Sequence, residues 1–280
     1  LESININNIL VYYIMVVYNA VSAKHLIFNE LKKPVWQFKN KKVFNENDLH
    51  KIVSLKRLKA CTNEQMVFQV NRSNTYLIKL IVIDTHADME MYTSEIYVGL
   101  LPLVSKFGVN VHAFIKPDLL TRGSVAMFVM DHVTMGDPSL HSMTLYNYSN
   151  LTSYNHYELI RLLHKTLVAF YTITNGYHAD LHQNNVMVLL KNNQLVDLKI
   201  IDYGMFTPFT QRHRKKTFTD YMKLTQNTFD TMQSEESTIF QGNKVKYHPS
   251  GRPVRTNKAM LNNMLHNLQQ LNHMKNISIK

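Results

Sequence analysis

Apolar and polar positions change period several times along the chain, and each change marks an expected element. The first apolar run, Ile9 to Val17 (ILVYYIMVV), has about half of the roughly 20 residues a membrane-crossing helix needs. It is expected as a buried helix or strand rather than an anchor. Residues 1 to 33 read as an apolar N-terminal element, followed by a polar linker to about residue 50. From Leu55 the pattern turns to short β-type runs: LKRLKA, VFQV at 67 to 70 and TYLIKLIVI at 75 to 83, separated by CTNEQ and NRSN. Such spacing predicts an antiparallel meander.

A helical stretch is expected from about Asp88 to Leu101, with Met91, Ile96, Val98, Leu100 and Leu101 as its apolar positions and Pro102 and Gly108 closing it. VNVHAFI and SVAMFVMDHV follow as two further strands, the second continuous enough to be buried. Asn155 to Thr174 carries the clearest helical period, with Leu159, Leu162, Leu163, Leu167 and Phe170 on a wide apolar face and Asn175-Gly176 as the stop signal. NVMVLL, the turn KNNQ and LVDLKIID then predict a hairpin ending at Asp202-Tyr203-Gly204.

Composition narrows the class. A chain of 280 residues can bury a sizeable core, and its single cysteine, Cys61, excludes both an intrachain disulfide and a cysteine-built zinc site. That usage fits a reducing, intracellular setting. The formal charge is +11, and residues 205 to 280 hold twelve Lys or Arg against four Asp or Glu, so +8 of it lies in that stretch. An anionic partner is implied for this basic C-terminal segment, not for the whole surface. The run Arg212 to Lys216 (RHRKK) reads as a solvated loop or as a contact for an acidic or phosphorylated protein. Nucleic acid is less favoured, because aromatic residues are sparse there. Residues 259 to 274 place Met260, Leu261, Met264, Leu265, Leu268 and Leu271 on one helical face, expected to pack on the body of the protein.

The richest chemistry sits in YHADLHQNNVMV, residues 177 to 188. His178, Asp180 and His182 alternate, and on a strand they would share one face, as the ligands of a metallohydrolase do. Against that stand Asn185 and the apolar strand after it, which suit a polar loop between a long helix and a hairpin. In that setting His178-Ala179-Asp180-Leu181-His182-Gln183-Asn184-Asn185 resembles the H-x-D-L-x-x-x-N catalytic loop of protein kinases, and Asp202-Tyr203-Gly204 takes the D-F-G place. Histidine two residues after the aspartate is similar to a variant found in kinase-like small-molecule phosphotransferases and in serine/threonine kinases of large DNA viruses.

The resemblance spans roughly residues 55 to 230 and implies an α+β, bilobal protein-kinase-like fold. Residues 1 to 50 would be an N-terminal extension, 51 to 133 a small antiparallel-sheet N-lobe with hinge, and 134 to 280 a shortened, mainly helical C-lobe. It also implies roles. Asp180 would accept the proton of the attacking hydroxyl. Asn185 and Asp202 would give oxygen ligands to Mg2+. Lys79 would hold the α- and β-phosphates of ATP, with Glu95 orienting it and Glu90 as the competitor for that task. The backbone of Asp131 and Val133 would pair with adenine. His182 stands where a kinase lysine meets the γ-phosphate, with a charge that depends on pH, while His178 would brace the loop. Asp220 is a weak match to the buried aspartate that supports the catalytic loop.

Two departures shape the expected function. No glycine precedes Gly99, so ACTNEQM cannot be a glycine-rich cover over the phosphates. No A-P-E follows, and 76 residues lie after Gly204, little room for the helical insertion of a small-molecule kinase. The expected activity is an atypical ATP- and magnesium-dependent serine/threonine protein kinase. Alternatives are a pseudokinase that binds nucleotide or protein, and a small-molecule kinase.

Overall fold

The computed structural model describes residues 20–58, 65–149, 156–178 and 180–208. Expectations for Ile9–Val17, Cys61, Arg212–Lys216, Asp220 and residues 259–274 fall outside the described residues. The chain divides into two compact units, residues 1–92 with 111–136, and 93–110 with 137–280. Both are mixtures of helix and antiparallel sheet.

In the first unit, helix α1 (Ala20–Leu31) leads into β1 (Trp36–Phe38), α2 (Glu46–His50), β2 (Leu55–Arg57), β3 (Gln65–Val70) and β4 (Tyr76–Ile83). Helix α3 (His86–Leu100) begins in this unit, which resumes with β5 (Val111–Ile115) and β6 (Ser124–Asp131). The six strands form one sheet of order β1-β5-β6-β4-β3-β2, and every neighbouring pair is antiparallel. The meander expected from Leu55 is its β2-β3-β4 half.

Residues 34 to 50, expected as a polar linker, instead carry β1 and α2. Three strand residues and one helical turn are too short to show a period. Strand β1 is held by pairing with Val111–Ile115, Trp36 opposite Ile115, and Trp36 Nε1 donates to Glu30 O at 3.1 Å; Asn45 and Asp48 close a local capping box over α2. Ala23, Ile27, Leu31, Trp36, Phe44 and Leu49 join Phe68, Ile78, Leu80, Met127 and Val129 in one core.

In the second unit, β7 (Leu140–Thr144), α4 (Leu145–Ser149), α5 (His156–Thr174), β8 (Gly176–His178), β9 (Val186–Lys191), β10 (Gln194–Ile200) and β11 (Phe206–Pro208) follow in order. They make a β10-β9-β7 sheet and a two-stranded β11-β8 ribbon. The expected face of α5 buries Leu159, Leu162, Leu163, Leu167 and Phe170 against Val98, Phe107, Val186, Val188, Leu198, Ile200, Tyr203 and Phe206. The hairpin turn is Asn192-Asn193, both with positive φ (50° and 60°), as a two-residue type I′ connection requires. A register shift between Leu195 and Asp197 leaves Val196 as an exposed bulge residue.

Helix α5 stops at the expected Asn175-Gly176 pair, with the asparagine as the cap. Asn175 takes the left-handed conformation, φ 50°, and its N–H donates to Tyr171 O at 3.0 Å. Gly176 starts β8, and a Cβ there would lie 2.4 Å from the Phe206 ring and 2.6 Å from Thr207 O. Smallness, not backbone freedom, is what this glycine supplies. Among the described residues no helix is long and apolar enough to cross a membrane.

Candidate active site

The segment from His178 to Asp202 lies wholly in the second unit. Strand β8 ends at His178, and a turn carries Asp180, so the alternation of His178, Asp180 and His182 is not a strand face. Among the described residues no group of three or more His, Cys, Asp or Glu is arranged to hold a metal ion. The metallohydrolase reading therefore loses its geometric basis.

His178 is fully buried. Its Nε2 donates to Ile201 O at 3.0 Å and its Nδ1 accepts from Asp180 N–H at 3.3 Å, so one imidazole ties the start of the loop to the residue before Asp202. Phe170 and Tyr203 ring centroids stand 6.1 and 5.8 Å from it. Buried imidazole with both nitrogens used is a structural brace, satisfied at each polar atom.

Asn185 makes the second tie. Its Nδ2 donates to Asp180 O at 2.8 Å, its backbone N–H donates to His182 O at 2.9 Å, and its carbonyl accepts from Ile201 N–H at 2.9 Å. Nδ2 being engaged, Oδ1 is the end of the amide left to accept or ligate. His182 caps the short 3₁₀ turn Gln183–Asn185: its Nδ1 accepts from Asn184 N–H at 3.2 Å. That contact assigns the other proton to Nε2, which stands 3.8 Å from Asp180 Oδ2.

The pKa of the Asp180 carboxyl is raised from its ordinary value, chiefly by burial. His182 lowers it, the negative charge of Asp202 raises it and a hydrogen bond from Asn185 lowers it. Asp202 adopts a left-handed backbone, φ 63° and ψ 65°, which is unfavourable for a residue with a Cβ and occurs preferentially at functional sites. Behind it the Tyr203 hydroxyl donates to Ile200 O, and Gly108 makes room, since a Cβ there would fall 1.7 Å from that hydroxyl. The free oxygen of the Asn185 amide and the Asp202 carboxylate are hard oxygen donors, and such donor chemistry suits a divalent cation such as Mg2+.

Lys79, Glu95 and Asp131 are buried in their own elements. In the first unit Lys79 is 5% exposed on β4, in register with Val67 on one side and Phe128 on the other. Glu90 pairs with His86, Nδ1 to Oε1 at 3.1 Å. In the second unit Glu95 is 4% exposed on α3, and after burial it is the largest influence raising the Tyr203 hydroxyl well above its ordinary value. Glu95 is thereby set near the Asp202-Tyr203-Gly204 turn.

Asp131 ends β6, opposite Tyr76 of β4. His132 N–H donates to Thr75 O and His132 O accepts from Met135 N–H, both at 2.8 Å. Among the described residues the Val133 backbone makes no hydrogen bond, although its side chain is buried. The sequence reading overlooked His112, whose Nε2 lies 2.7 Å from Asp131 Oδ1. A histidine inside the apolar run VNVHAFI was the available signal. Neither protein-family models nor curated proteins give a match to the chain.

Proposed function

We propose that the protein transfers the γ-phosphoryl group of ATP to a hydroxyl, using Mg2+, with a serine or threonine side chain of a protein as acceptor. The observation that carries this reading is the doubly tied loop. His178 and Asn185 both lock the Asp180 segment to the strand end that delivers Asp202. Phosphoryl transfer asks a protein for positioning and charge placement more than for covalent chemistry.

In this reading Asp180 accepts the proton of the attacking hydroxyl, and its raised pKa makes it a better base than an exposed aspartate. Asp202 and the Asn185 amide oxygen hold the metal, which when bound neutralises charge on the phosphates. His182, its Nε2 3.8 Å from Asp180 Oδ2, takes the γ-phosphate contact that the kinase resemblance implies. Lys79, Glu95, Asp131 and Val133 take the nucleotide-holding roles that the kinase resemblance implies.

A second reading, nucleotide binding without transfer, is favoured by one observation, the absence of any glycine before Gly99. Thermal unfolding with ATP, with and without Mg2+, tests the binding common to both. Stabilisation by ATP with Mg2+ is expected, lost in Lys79→Ala and in Asp202→Ala. No shift in the wild type refutes nucleotide binding, and with it both readings.

A further inference from the structure

We infer that His112 is a positioning residue for the nucleotide-contacting segment Asp131–Val133, acting through the Asp131 carboxylate. The inference rests on the proposed function and adds a residue outside the kinase-like motifs.

The local build carries it. Strand β5 pairs with β6 through Val111–Met130 and Ala113–Val129, with the register shifting between Val111 and Ala113. His112 is the extra residue at that shift, and a bulge redirects a side chain that a regular strand would send elsewhere. Its carbonyl is used by Lys39 N–H at 2.7 Å, so the bulge costs no unpaired acceptor. Its ring is fitted between Tyr76, edge-on at 5.3 Å, and Phe44 at 5.9 Å. From there Nε2 meets Asp131 Oδ1 at 2.7 Å, with both side chains about nine-tenths buried.

A carboxylate so buried needs hydrogen bonds to hold its place, and His112 supplies one of them, at 2.7 Å. It fixes the last residue of β6 from the β5 side while Tyr76 flanks it from β4. The next residue is held by Thr75, and the Val133 backbone, which makes no hydrogen bond among the described residues, follows immediately. A set backbone direction at Asp131 therefore sets where the Val133 N–H points, which is what hydrogen bonding to a base edge needs.

The test measures ATP–Mg2+ affinity of the full chain by titration calorimetry, at a temperature where circular dichroism shows each variant folded. His112→Leu removes the donor at similar volume and is expected to weaken Kd by about tenfold or more. His112→Gln keeps an amide donor near the Nε2 position and is expected to stay within about threefold of wild type. Where transfer is measured, His112→Leu raises KM more than it lowers kcat. If His112→Leu does not fold, His112→Asn, whose amide is too short to reach Asp131, replaces it. A lowered Tm with unchanged Kd in the donor-less variant, beside a wild type that binds ATP, overturns the inference and leaves the proposed function standing. A wild type that binds no ATP overturns both.

Discussion

Replacing His178 with phenylalanine isolates the brace from the packing. The ring volume is kept beside Phe170 and Tyr203, while the bonds to Ile201 O and Asp180 N–H are both lost. Each is a neutral hydrogen bond of about 1 kcal/mol net, and Ile201 O in a partly buried place adds to the loss, so a total of about 2 kcal/mol is expected. For a chain of 280 residues that corresponds to a fall in Tm of roughly 3–4 °C. The same change frees the loop between Asp180 and the Asp202 strand end, and a displacement of about 1 Å at a reacting group is worth about 10²-fold in rate. Differential scanning calorimetry reads the first effect and phosphate transfer at saturating ATP reads the second. Wild-type Tm together with wild-type rate would refute the claim that this imidazole holds the loop.

Further expectations follow from the same geometry. Because the folded-state pKa of Asp180 lies above its unfolded value, its ionisation opposes folding, a cost absent below the unfolded pKa and developed as pH rises through the folded one. Asp180→Asn is therefore expected to raise Tm at pH 7 and to lose that advantage towards pH 4, even as it abolishes transfer; a Tm below wild type at both pH values would contradict the electrostatics. Gly108→Ala puts a methyl 1.7 Å from the Tyr203 hydroxyl and should cost about 1–3 kcal/mol by overpacking, seen as a lower urea midpoint. Pairing it with Tyr203→Phe should recover part of that loss, and equal midpoints for Gly108→Ala and wild type would show that the site is looser than it looks.

The long elements were legible because their periods are long. Helix α5, strands β4 and β6 and the Asn192-Asn193 hairpin each repeat a pattern over enough residues to stand out. Elements of three to five residues were not, since they are too short to show a period, and β1, β8 and β11 pair with strands far along the chain: Trp36 with Ile115, Phe206 with His178. Within the candidate site, residue types and spacing pointed to Asp180, Asn185 and Asp202, but not to what orients them. The Asp202 backbone conformation, the Asn185 tie and the bulge that aims His112 at Asp131 are tertiary facts with no local signature. Gly176 was noticed as part of a stop signal, while its packing role was out of sight, because the clash it avoids comes from Phe206, thirty residues on.

The most direct test of the account is transfer of the γ-phosphate of ATP, with Mg2+, to generic basic and acidic protein substrates by wild type, Asp180→Asn and Asp202→Ala. Incorporation by the wild type and its loss in both variants, about 10²-fold or more at Asp180, is the predicted result. Equal incorporation by all three, or none by a wild type that ATP stabilises, would contradict the catalytic assignment, and the latter would leave a nucleotide-binding protein without transfer.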